Sequence, residues 1–188
     1  METDDQLFRW AFFIAASLLN TVYSWHALHN PRVHGFYRFF VFEGIVILLT
    51  INGTMGPTLS PRWLKHFSQL LNALAVLSVS AGYYQLRRSG GHMERVDFAA
   101  NHHFENTAHV VASGIYRYIR HPMYSSLLLF SWGLYLGYPT LLGTPAVMMT
   151  TIAVCLAARV EERENIAYFG NEYLDYMKVT RMFIPYIV

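Results

Sequence analysis

Five apolar runs constrain what this chain can fold into more than any other feature: Leu7 to Trp25, Phe39 to Met55, Phe67 to Leu86, Met123 to Tyr138 and Thr144 to Arg159. A bilayer core is crossed by a helix of about 20 apolar residues. Within lipid every backbone polar group must be bonded inside the chain, so runs of this kind are expected as helices. Composition agrees, since 54% of the 188 residues are hydrophobic and only 14% are charged, an unusual balance for a protein in water. The expected fold is all-α and integral to the membrane. It has about five transmembrane helices and a C-terminal helical hairpin.

One domain accounts for the whole chain, with three N-terminal spans in residues 1–86 and a catalytic loop, hairpin and amphipathic tail in residues 87–188. The start, Met1 to Gln6, is acidic, the opposite of a secretory signal, so the first span is expected to be retained. Arg9 can snorkel to an interface, where Trp10, Tyr23 and Trp25 also belong. His26 to Tyr37 reads as a polar turn, and Asn52-Gly53 with Gly56-Pro57 closes the second span. Glu43 interrupts that span. A carboxylate in lipid must be neutral or paired, so a hydrogen bond to a neighbouring helix is the expected role. In the third span Ser78, Ser80, Ala81 and Gly82 are small enough for close helix contact.

The stretch from Gln85 to Arg120 is too polar for lipid and is expected as a functional loop. It carries Arg87, Arg88, Arg95 and Arg117 together with His92, His102, His103 and His109. With this loop in the cytoplasm, all Lys and Arg fall inside except Arg9, Arg62 and Lys65, as the positive-inside tendency requires. A multi-pass protein with its site facing the cytoplasm is therefore expected. Beyond Val160, Ile166, Phe169, Tyr173 and Tyr176 or Met177 recur at helical spacing, predicting an interfacial helix, interrupted at Gly170, that covers the site.

Several chemistries find no pattern here. The net charge of +2 comes without the Lys/Arg run that nucleic-acid binding uses. The histidines match neither HExxH nor a Cys/His zinc spacing, so no metal is expected. Cys155, the single cysteine, lies in an apolar run, and GxSxG, GxGxxG and P-loop motifs are absent.

What remains is the basic and aromatic stretch Ser113 to Tyr124, SGIYRYIRHPMY, at the start of the fourth run, and Glu161-Glu162 at the end of the fifth. The tight turn Pro139 to Gly143 makes these two runs a hairpin, which brings Arg120-His121 and Glu161-Glu162 to one membrane face. Pro122 suits the first turn of its helix, where its missing N–H is no loss. In order and spacing, Gly-Ile-Tyr-x-x-x-Arg-His-Pro-x-Tyr, the glutamate pair and FGNEYLDYMKVTRMFIP resemble the isoprenylcysteine carboxyl methyltransferase family over residues 100–188.

The resemblance implies S-adenosylmethionine as cofactor, a cytoplasmic cofactor-binding region, and methyl transfer to a lipophilic acceptor, such as a prenylated cysteine or a lipid, in contact with membrane lipids. It implies that His109, Val110, Val111 and Tyr116 line the cofactor with His121, Pro122, Met123 and Tyr124, and that Glu161 holds its amino or ribose groups. It assigns catalytic roles to Arg120, Arg159, Glu162 and Arg181, the two arginines 159 and 181 favouring a carboxylate acceptor, with Arg181 holding it. Two departures from the family pattern touch the acceptor's identity: Ala157 stands near the usual arginine, with Arg159 closer to the glutamates, and the loop histidine is shifted by one place to His109. A phospholipid N-methyltransferase is the chemical alternative. A nicotinamide-dependent membrane reductase is the rival from another class, although it would call for more spans.

Overall fold

The computed structural model describes residues 2–54, 60–91 and 107–187. Its regular elements are six α-helices: α1 (Glu2–Leu28), α2 (His34–Thr54), α3 (Arg62–Ser89), α4 (Pro122–Gly137), α5 (Gly143–Phe169) and α6 (Asn171–Val179). A single 3-10 turn, Gly114–Arg117, precedes α4. The all-α membrane architecture is therefore the observed one. Among the described residues three helices are long and apolar enough to cross a bilayer: α1 over Gln6–Leu28, α2 over His34–Asn52, and α5. The third expected span lies in α3, whose polar side chains lower its hydropathy, and the fourth is α4, only 16 residues long. Gly56-Pro57 and the loop residues His92, Arg95, His102 and His103 lie outside the described residues.

Packing follows from small and hydroxylated side chains. α2 lies against α5 at Gly44, where an added Cβ would sit 2.1 Å from Thr150 Oγ1. That hydroxyl is itself fixed by donation to the Ala146 carbonyl at 2.8 Å. α3 lies along α4 through hydrogen bonds from Ser68 to the Gly133 carbonyl at 2.7 Å and from Ser78 to the Pro122 carbonyl at 2.8 Å. Of the small residues read from the third run, Ser78 and Gly82 face α4, whereas Ser80 and Ala81 turn outward. The core between α2, α4 and α5 contains Val41, Ile45, Tyr124, Val154 and Ala157.

α1 is the outermost element and packs on α2. Glu43 on α2 accepts hydrogen bonds from Ser17 and from Asn20 Nδ2, the latter at 3.1 Å, so the carboxylate within the span is an interhelical clamp. The rest of α1 is clad in exposed apolar side chains, with Leu7, Phe8, Leu19 and Val22 each more than 70% exposed. Such a surface belongs in lipid rather than water.

Helix boundaries differ from the sequence reading at three places. α2 begins at His34 rather than Phe39, because the backbone N–H of His34 is accepted by Glu164 Oε1 at 3.0 Å. A carboxylate from the far end of the chain thus caps the helix. α3 continues to Ser89, so residues 85–89 are helical rather than loop. α5 runs without interruption to Phe169, placing Glu161 and Glu162 inside a helix, with the break at Gly170, where φ is +62°. That left-handed conformation is disfavoured for any side chain and lets α6 leave at an angle.

Candidate active site

Pro122 opens α4 at its first turn, and His121 is the residue just before it. The preceding backbone is held by the tail: Arg120 N–H donates to the Arg181 carbonyl at 2.7 Å, His121 N–H to the Met182 carbonyl at 3.1 Å, and Arg181 N–H to the Tyr118 carbonyl at 3.1 Å. Residues 118–121 and 181–182 thus form a short parallel pairing, closed by Ser125 Oγ on the Phe183 carbonyl at 2.9 Å. The tail acts here through its backbone.

Side chains converge beneath this pairing. Arg120 Nε meets Glu162 Oε1 at 2.6 Å and its Nη1 donates to the Thr180 carbonyl at 2.7 Å, so one guanidinium ties α5 to the tail. His121 is buried between the glutamates, with Nδ1 3.9 Å from Glu161 Oε1 and Nε2 3.5 Å from Glu162 Oε1. Nε2 makes no hydrogen bond among the described residues. Burial, reinforced by the nearby Glu161 and Glu162 carboxylates, pushes the Tyr173 phenol up out of the physiological range, and burial does the same for Tyr176. Both stay protonated, and Tyr176 donates to the Tyr116 carbonyl at 2.7 Å.

These groups enclose a cavity of about 300 Å³ between α2, α3, α4, α5 and α6. Val110, Val111, Tyr116, Arg120, His121, Pro122, Met123, Tyr124 and Glu161 line it. Glu162 stands behind Arg120 and braces it. His109, Arg159 and Arg181 are exposed and do not line the cavity, Arg181 contributing its backbone alone. Other lining residues carried no sequence signal toward a site: Arg38 and Phe42 on α2, Val79 and Leu86 on α3, Asn165 and Glu164 on α5. Glu164 was open to discovery, since three residues after Glu161 a helix returns to the same face. Tyr173 and Tyr176 lie on the segment expected to cover the site and form its wall from α6. No group of three His, Cys, Asp or Glu among the described residues could hold a metal ion.

The sequence profile of the family described as PEMT, phospholipid methyltransferase, matches residues 64–172, from α3 through the start of α6. The chain belongs to the phospholipid methyltransferase family. The relationship visible in Arg120-His121-Pro122 and the glutamate pair therefore holds at the level of membrane methyltransferases. The chain is also similar to a Methanethiol S-methyltransferase of Crocosphaera subtropica, 32% identical over 72 residues. That stretch is 38% of this chain and spans only 28% of the relative's length. The family match leaves out α1 and α2, so the Arg38 and Phe42 wall of the cavity lies outside it.

The cavity suits an amphiphilic cofactor with a positive centre. Carboxylate at Glu161, the His121 imidazole and the rings of Tyr116, Tyr124 and Phe169 supply an acceptor, a polar contact and apolar walls in one enclosure.

Proposed function

We propose that the protein is an S-adenosylmethionine-dependent methyltransferase acting on a lipophilic acceptor at the cytoplasmic side of the membrane, with five helices crossing it. The observation that carries the reading is the convergence of the Arg120-His121-Pro122 turn and Glu161 on one cavity in a member of a methyltransferase family. The cofactor supplies an electrophilic methyl on sulfonium. Glu161 would take its amino or ribose groups, and His121 would line its polar end. Tyr116, Tyr124 and Phe169 line the cavity and would exclude water from it. Arg120 and Glu162 keep the turn in place, so that orientation, worth several kcal/mol in a bimolecular transfer, comes from a rigid wall.

The preferred acceptor is a carboxylate, as in protein-S-isoprenylcysteine O-methyltransferases: it is ionised at neutral pH and asks only for a cation to place it. The family description favours a second acceptor, the amine of a phospholipid, which must lose a proton first. The test is calorimetry of the solubilised protein with S-adenosylmethionine and, separately, NADPH. Saturable S-adenosylmethionine binding is expected, weakened at least about tenfold by His121→Ala and by Glu161→Ala in folded protein. Binding of NADPH alone would overturn the reading in favour of a reductase.

A further inference from the structure

α5 presents a second face, turned away from the active-site cavity. Met149, Ile152, Leu156, Arg159 and Arg163 recur along it at helical spacing and form one stripe. The apolar part of the stripe meets Phe36, Tyr37 and Phe40 of α2 in an open groove of about 510 Å³ walled by hydrocarbon and ring surface. Ile152 and Leu156 are exposed there. The groove shares no lining residue with the active-site cavity. Both helices are long and apolar enough to cross a bilayer, so the groove opens to lipid rather than to water.

Two cations end the stripe at the membrane face that bears the site. Arg159 and Arg163 are exposed, and among the described residues neither side chain has a hydrogen bond or an ion pair. The carboxylates nearest in sequence are engaged elsewhere: Glu162 is bound by Arg120 and Glu164 by His34, while Glu161 lines the cavity. Side chains on a helix lean toward its N-terminus, which from both arginines is the direction of the groove. From Met149 to Arg163 a helix advances about 21 Å, and one bilayer leaflet with its headgroups measures about 20–22 Å. The arginines therefore stand at headgroup level when the groove lies beside the acyl chains.

We propose that this face binds an anionic phospholipid of the surrounding leaflet, its phosphate held by Arg159 and Arg163 and one acyl chain lying in the groove between α2 and α5. Guanidinium and phosphate match in charge and in hydrogen-bond geometry. The site is separate from the cavity and does not depend on the methyltransferase reading. It gives a ligand to Arg159, which the cavity does not take up.

Full-length protein, delipidated in neutral detergent, is titrated with phosphatidylglycerol, with phosphatidylcholine of the same chains and with glycerol phosphate, and bound ligand is counted by native mass spectrometry. Phosphatidylglycerol is expected to bind about tenfold tighter than phosphatidylcholine and at least about tenfold tighter than glycerol phosphate, which has the anion but no chain. Arg159→Gln/Arg163→Gln brings the two lipids to within about twofold of each other, and Arg159→Lys/Arg163→Lys keeps part of the preference. Ile152→Asn puts an amide on the groove wall and weakens both lipids at least about threefold. Equal binding of the two lipids by wild type overturns the proposal, as does a preference that survives in the double Gln variant. Glycerol phosphate binding as tightly as phosphatidylglycerol, or unchanged lipid affinity in Ile152→Asn, also overturns it by leaving a phosphate site without a groove. Phosphatidylglycerol with a photoreactive acyl chain fixes the location in wild type, whether or not the variants fold. Labelling of residues 149–156 and 36–40 that excess phosphatidylglycerol suppresses is expected, and labelling confined to other segments overturns the site.

Discussion

Replacing Arg120 with Met removes a guanidinium that joins three parts of the site and leaves a side chain of similar length. The bond to Glu162 Oε1 at 2.6 Å and the bond to the Thr180 carbonyl at 2.7 Å are both lost. Arg120 and Glu162 are each only 9% exposed at the side chain, so water cannot readily replace the missing partner. Breaking a buried pair from one side costs about 3–5 kcal/mol, chiefly because the remaining charge is stranded. Glu162→Gln in the same background relieves that charge, so the double variant is expected to recover about 1–3 kcal/mol relative to the sum of the single changes. Stability is read from reversible unfolding in mixed micelles, with hydrogen exchange at the amides of Arg120 and His121, which donate to the tail carbonyls of Arg181 and Met182. Both amides should lose protection in Arg120→Met. A cost below about 1 kcal/mol with those amides still protected would refute the view that this side chain secures the tail to α5.

Two other substitutions test the packing and the tail. Gly44→Ala places a Cβ 2.1 Å from Thr150 Oγ1 and is expected to cost about 1–3 kcal/mol in the same unfolding assay, with partial recovery in Gly44→Ala/Thr150→Ala; tolerance of the single change would show that α2 and α5 do not need this close approach. Arg181→Lys alters a side chain that is exposed and leaves its backbone bridge intact, so turnover with any active acceptor should stay within about twofold. A tenfold fall would bring the Arg181 side chain into the acceptor site.

Much of this arrangement was legible before any coordinates. Apolar runs marked the helices because lipid leaves the backbone few alternatives. The Pro139 to Gly143 turn is short enough that α4 and α5 must be neighbours, so Arg120-His121 and the glutamates had to face the same end. Glu43 could be read as a helix-to-helix bond because an unpaired carboxylate in a span is so costly. The extension of α5 past Val160 was less legible: a change from apolar to charged residues looks like an end, yet Glu, Arg and Ala are good helix formers and carry the helix on to Gly170.

By itself, then, the sequence determined the membrane setting, the α4–α5 hairpin and the family motif at its mouth, since each depends on neighbouring residues and on backbone chemistry. Only the tertiary structure decided which side of α2 faces the cavity, and with it the places of His34 and Arg38. It also decided that Glu164 caps a helix 130 residues earlier in the chain, and that Arg181 serves by its backbone while its side chain turns outward. The physical reason is that helix rotation and partner choice are set by steric fit between distant surfaces, as at Gly44 and Thr150, and such fit leaves no periodic or local signature along the chain.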